Sequence, residues 1–315
     1  MLARNKVRPG TQRQYVAALL RLADWLAMRP LPDWPGPVWD EHLSEFFGML
    51  YDQGEGPHSA RVVMAALLWA QPRLGGTMKA RFPHSFQSAQ GWTRLQPPKS
   101  RPPIPWLVAA GMAEWLFQTG KPHTGLLIIV LFQSYCRPSE GLQLLARQVI
   151  RPRLPDAGVL SRVSLVLNPS DLGVPSKTGL MDSSVALDLE HHRWVEEALL
   201  RVKQALQPEE RLFKCSYLEL LADMRSAARA LGCSVLRPTP HGLRHGGASQ
   251  DRALGRGALP EIQSRGKWRS PLSVQRYEKH AMISEQLEKL PTHVFLELRS
   301  REARLPSVCR ASFGP

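Results

Sequence analysis

Six residues of this 315-residue chain have the types needed to act together on a phosphodiester. They are Arg137 in YCRPSEG, Lys177 in PSKTG, His241 and Arg244 in PHGLRH, Trp268 in GKWRS and Tyr277 in SVQRY. Cleaving such an ester takes a nucleophile, a base for it, positive charge at the pentavalent phosphorane and an acid for the leaving oxygen. The Tyr277 phenol suits the first role, because a phenolate leaves more readily than an alkoxide and a phosphotyrosyl link therefore stays reversible. Arg137 and Arg244, with five N–H donors each, suit the two non-bridging oxygens. His241 can serve as base or further donor. Lys177 can protonate the departing oxygen, and Trp268 offers an indole N–H together with apolar surface to fix the tyrosine segment. No step needs a metal, and no metal-ligand spacing occurs. Neither GxxxxGK[ST] nor GxGxxG is present, so no nucleotide cofactor is expected.

These side chains need elements to hold them. A helix over His241–Ala253 puts His241 and Arg244 on one face, one turn apart. Pro138 suits the first turn of a helix running through Leu145, which sets Arg137 at a helix N-terminus, where anion oxygens are favoured. Val159–Leu167 and Val185–Leu189 alternate and flank the turn-rich NPSDLGVPSKTG, so a small antiparallel sheet should carry Lys177 in a turn. Trp106–Gln118 and Thr124–Ser134 read as buried helices, the second too short to span a bilayer. Helices return at His192–Leu206 and at Ser216–Leu231, where Ser216 and Glu219 form a capping box. Adjacent His191 and His192 read as a solvated helix start and not as a metal pair. Ile283, Leu287 and Leu290 precede an amphipathic segment, Val294–Leu298, and the helix Ile283–Leu298 packs either in cis or on a neighbouring protomer. The last residues, 301–315, read as a disordered tail.

The N-terminal part reads as a small all-helical domain, residues 1–95. Thr11 and Gln14 form a capping-box pattern ahead of Tyr15, Leu19, Leu22 and Leu26. A second helix opens at Asp40, a third near Ser59, and a weaker one surrounds Phe86 and Trp92. Five prolines between Gln96 and Pro105 make an extended linker, after which residues 106–300 form the second domain. A net charge of +14 and a pI near 10.2 favour a polyanionic partner, nucleic acid ahead of a membrane surface. Arg8, Arg13, Arg61, Lys99, Arg101, Lys267 and Arg269 are the candidate DNA contacts, with Arg21 and Lys79 among further cations available. Cysteines at 136, 215, 233 and 309 lack CxxC spacing and read as reduced thiols of an intracellular protein, and MLARNKVRPG lacks the apolar stretch of a signal peptide.

The order Arg137, Lys177, His241-x-x-Arg244, Trp268, Tyr277 resembles that of the tyrosine recombinase (phage integrase) family, over about residues 100–285, with a nine-residue Trp-to-Tyr interval usual there. Glu140 matches a carboxylate with a structural role near the first arginine, and His245 matches the second histidine of the family's H-x-L-R-H box. The resemblance implies a mainly α fold with a small antiparallel sheet. An N-terminal helical core-binding (SAM-like) domain and a mixed α/β catalytic domain would close as a clamp on duplex DNA. It also implies a 3′-phosphotyrosyl intermediate, strand exchange in a homotetramer, no cofactor, and action at a bacterial nucleoid or in a eukaryotic nucleus. Two departures stand out. Gly246 and Gly247 follow HGLRH where a hydroxyl residue is common, and they either allow close approach to DNA or mark a relaxed constraint. Lys267 stands where glycine usually precedes the His or Trp, and there it can add a phosphate contact. Two other readings are a type IB topoisomerase-like activity, opposed by the N-terminal domain and the segment after Tyr277, and a DNA-binding descendant that no longer cleaves, opposed by the complete residue set.

Overall fold

The computed structural model describes residues 7–29, 37–71, 77–97, 102–153, 158–173, 179, 181–189, 192–270 and 280–314. The chain divides into two compact units, Met1–Ser100 and Arg101–Pro315. The described residues are mostly helical, with one three-stranded antiparallel sheet. No helix among them is long and apolar enough to cross a membrane.

The first unit holds α1 (Pro9–Leu26), α2 (Pro37–Asp52), α3 (His58–Ala70), α4 (Met78–Arg81) and α5 (Pro83–Leu95). Its core gathers one face of each long helix: Leu22 and Leu26, Leu43, Phe46 and Leu50, Val63 and Leu67, and Trp92. The Asp40 carboxylate is buried, yet it is satisfied: it accepts from the Ser85 hydroxyl and from the amides of His84 and Ser85, two first-turn donors of α5. The capping box expected at Thr11 is not the helix start. Pro9 occupies N1, with Arg8 as N-cap, because proline has no amide N–H to leave unpaired and its fixed φ suits the first turn.

In the second unit, α6 (Trp106–Gln118) and α7 (Pro122–Ser134) are buried almost throughout and form the centre of the core. They are followed by α8 (Pro138–Leu142), β1 (Val149–Ile150), β2 (Ser164–Leu167), β3 (Ser183–Ala186), α9 (Arg193–Gln204) and α10 (Tyr217–Ala230). Then come α11 (Pro240–Ala253), α12 (Leu259–Gly266), α13 (His280–Glu288) and α14 (Thr292–Ser312). The sheet order is β1-β2-β3, with Leu165 facing Val149 on one side and Val185 on the other. Ser216 and Glu219 make the expected capping box of α10.

Three expectations are corrected here. The strand expected from Val159 begins only at Ser164, and a 3₁₀ turn covers Gly158–Ser161. Glu196 of α9 is the reason: it pairs with the buried Arg162 guanidinium and accepts the Val163 amide at 2.7 Å, so that amide is spent on a side chain. α8 stops at Leu142, short of Leu145. The disordered tail expected over 301–315 is instead the second half of α14. Leu298, Leu305 and Cys309 of α14 are buried, and the helix packs on α6, where Leu298 occupies the space a side chain on Gly111 would need. Glu114, fully buried on α6, holds it there by accepting from Arg301 at 2.5 Å and Arg304 at 3.4 Å. Within this chain, the C-terminal helix thus lies against α6.

Candidate active site

Arg137 owes its position to the turn between α7 and α8. α7 ends at Tyr135, whose φ of 49° lies in the left-handed region and swings the chain out of the helix. Arg137 is then N-cap of α8, with Pro138 at N1. Glu140, at N3, accepts the Arg137 amide at 2.7 Å and the Arg137 Nη1 at 2.6 Å, so one carboxylate fixes both the backbone and the guanidinium.

Arg244 comes from α11. Thr239 caps that helix by accepting from the Gly242 amide, and Pro240 fills N1. Arg244 is buried, with 5% of its surface exposed. Its Nη1 donates to the Tyr135 carbonyl, and its Nη2 donates to the Gly266 carbonyl at 2.6 Å. The guanidinium is thus bolted to the turn that presents Arg137 and to the end of α12, a two-point grip that its planar fork allows. His241 and His245 lie on the same helix, both half-buried, His241 one turn before Arg244.

Gly246 and Gly247 explain how α11 gets this close. A Cβ on Gly246 would overlap the Ile104 carbonyl oxygen and meet Phe132 Cε2 at 2.9 Å; one on Gly247 would overlap the Phe132 carbonyl and meet the Tyr135 ring at 2.9 Å. Both glycines are buried in the protein interior. The two readings offered from sequence, close approach to DNA or a relaxed constraint, are both corrected. The missing side chains let α11 lie against Ile104 and the end of α7, and the Ile104 amide donates to the Gly242 carbonyl at 3.1 Å.

Trp268 follows α12. Its ring stacks near Tyr135 at 6.3 Å with an interplanar angle of 26°, and the Arg244 guanidinium carbon lies 4.7 Å from the indole centroid. A side chain on Gly266 would overlap this indole. Lys267 caps α12 at φ 53°, ψ 42°, in the left-handed region that glycine adopts without steric cost. Burial pushes the pKa of its ammonium down, with Arg137 and Arg244 adding repulsion and Cys136 and Glu140 opposing. Arg269 is exposed, and a Cβ on Gly179 would sit 3.7 Å from its Nη2, so Gly179 lies beside this segment.

Arg137, Glu140, Arg244, Lys267 and Trp268 therefore meet where α8, α11 and α12 converge. Lys177 and Tyr277 lie outside the described residues, as do Lys99 and Arg101. In the first unit, Arg8 and Arg13 are exposed at α1, and Arg61 is exposed on α3 with a hydrogen bond to Thr93. Arg21 is different: it pairs with Glu55 and donates to Gln53, so its charge is already matched.

A supporting network went unread in the sequence. The buried Tyr135 phenol donates to Asp251, and burial, reinforced by that carboxylate, holds the phenol pKa well above its ordinary value. Arg265 pairs with Asp188 and donates to the Gln133 carbonyl at 3.0 Å. Tyr135, Asp188, Asp251 and Arg265 line a cleft of about 720 Å³. Asp251 follows Arg244 by seven residues, two turns along the same helix face, and that spacing was the available clue.

No family model matches this chain, and no curated protein does. Among solved structures, the chain is similar to one described as the crystal structure of XerA recombinase, at 16% identity over 91% of this chain and 94% of that one, with a TM-score of 0.38. So loose a superposition decides nothing about function, and the weight falls on the residues and their geometry.

Proposed function

We propose that this chain is a site-specific DNA recombinase of the tyrosine type, acting as an enzyme of DNA integration or excision for a mobile element. The observation that supports the reading is the convergence of two fixed guanidiniums, Arg137 on Glu140 and Arg244 on two backbone carbonyls, under the Trp268 indole. Two preorganised cations at one point fit the non-bridging oxygens of a phosphodiester, whose charge grows as the phosphorane forms.

In this reading the Tyr277 oxygen attacks phosphorus in line, His241 takes the phenolic proton, and the P–O5′ bond breaks. Lys177 gives its proton to O5′, which leaves a 3′-phosphotyrosyl link and a free 5′-hydroxyl. Attack by a 5′-hydroxyl from another duplex reverses these steps and joins new strands, in a homotetramer on double-stranded DNA. No cofactor enters the sequence of bond changes.

The test is a nicked suicide duplex carrying the inverted repeats that flank the gene. The wild-type chain should form a covalent protein–DNA complex that Tyr277→Phe does not form. Binding of these duplexes without any adduct would identify a DNA-binding protein that no longer cleaves.

A further inference from the structure

Lys267 breaks two rules at once. It is a non-glycine residue in the left-handed region, at a helix C-cap where its own amide and that of Trp268 already close onto Ser264 and Gln263. Nothing in that backbone arrangement calls for a long side chain, and glycine or asparagine would make it at less steric cost. Its Nζ is also enclosed and makes no hydrogen bond among the described residues. A buried ammonium without a partner is costly, and buried polar groups in folded proteins are nearly always satisfied.

The surroundings say what is missing. Among the described residues, the charged groups acting on the ammonium include Glu140, Arg244 and Arg137, and the Cys136 thiol is a further neighbour. Burial raises the pKa of that thiol, which keeps it neutral. Both Glu140 oxygens are taken by Arg137. Asp188 is paired with Arg265, and Asp251 accepts the Tyr135 hydrogen bond, so neither is left over for Lys267. Among the described residues, no carboxylate is therefore bonded to the Lys267 ammonium.

We propose that Lys267 is the third arm of an oxyanion pocket with Arg137 and Arg244, its ammonium donating to an oxygen of a phosphate group. The pocket deepens the recombinase reading and rests on it only for the carrier of that phosphate, a DNA phosphodiester. Strain and an unmatched charge held together at one residue are the pattern of a site built for its ligand.

Titration calorimetry on the full chain with inorganic phosphate tests the pocket directly, and covalent-complex formation on the suicide duplex tests the carrier. Two variants separate charge from backbone: Lys267→Gly relaxes the left-handed residue, and Lys267→Met keeps its length. Wild type should bind phosphate, and both variants should lose at least tenfold in affinity while keeping their circular dichroism spectra. Absence of phosphate binding by wild type, or undiminished binding by Lys267→Met, overturns the proposal. Phosphate binding that depends on Lys267, without any adduct on DNA, upholds the pocket while the recombinase reading falls. Adduct formation at the wild-type rate by both variants overturns the pocket and leaves that reading standing.

Discussion

At the scale of single residues, the site is held by backbone carbonyls as much as by charges. Arg244 spends one Nη on Tyr135 and the other on Gly266, two acceptors that a single ammonium cannot reach together. Arg244→Lys should therefore lose about 10²-fold or more in cleavage and about 1–3 kcal/mol in stability, from the carbonyl left unpaired, while DNA binding is largely kept. Gel-shift and adduct assays on the same duplex separate the two effects; equal loss in both would make Arg244 a general phosphate anchor. Lys267 predicts the opposite sign. Relaxing its backbone in Lys267→Gly should stabilise the free protein by about 1 kcal/mol. Burial depresses its native pKa below the ordinary 10.5, so between the two values the unfolded chain binds more protons and wild-type stability rises with pH. The variant's advantage should be largest at neutral pH and shrink as pH approaches 10.5, a trend that urea unfolding at several pH values can follow. The candidate residues Arg137 and Arg244 could be picked out in sequence from their order along the chain, and the structure brings both to the ends of α7 and α12. The left-handed Tyr135 and Lys267 could not, since nothing in a residue's type announces a conformation its type disfavours.

At the scale of elements, the long apolar runs were the legible part. Trp106–Gln118 is helical over the span its pattern suggests, because a helix buried on all sides needs no periodicity to be recognised. α14 hid itself differently: its apolar positions are diluted by four arginines between 299 and 304 and at 310, two of which, Arg301 and Arg304, turn inward to Glu114. The shortened β2 was hidden too, because its lost ladder contact depends on Glu196, more than thirty residues away. Gly246 and Gly247 were noticed as a departure from the motif, but only packing explains them. In an ordinary helix, Gly→Ala gains about 1 kcal/mol. At Gly247 the new methyl would overlap the Phe132 carbonyl, and backbone cannot rotate aside as a side chain can. The clash should win, at about 3 kcal/mol or more, with α11 displaced from α7. Denaturation of Gly247→Ala beside Gly48→Ala, on α2 where a Cβ meets nothing within 4 Å, checks the sign at both places. A neutral Gly247→Ala would show that α11 can shift freely and that the glycines do not set the position of Arg244.

At the scale of the whole molecule, 41 Lys and Arg against 27 Asp and Glu give the chain its net charge of +14. Such an excess does not fold a protein; it draws a polyanion, and each phosphate neutralised on duplex DNA releases condensed counterions. Gross charge cannot say which cations do this, and the cations differ in how they are paired within the chain. Arg13 is exposed on α1 and Arg61 on α3, whereas Arg21, on the same α1, is already matched by Glu55. Affinity for duplex DNA should fall steeply with salt, by about 0.9 in the log–log slope for every phosphate contacted. If Arg13 and Arg61 touch phosphates, Arg13→Ala and Arg61→Ala should each flatten that slope by about one, equally on specific and unrelated sequences, because phosphate contacts carry no sequence information. Arg21→Ala removes the same formal charge but also unmasks Glu55, so its affinity should fall without the slope flattening by a full contact. Fluorescence anisotropy at four or five salt concentrations decides it. A uniform change for all three variants would mean that only net charge matters, and a flat salt response in wild type would remove the basis for placing this chain on DNA.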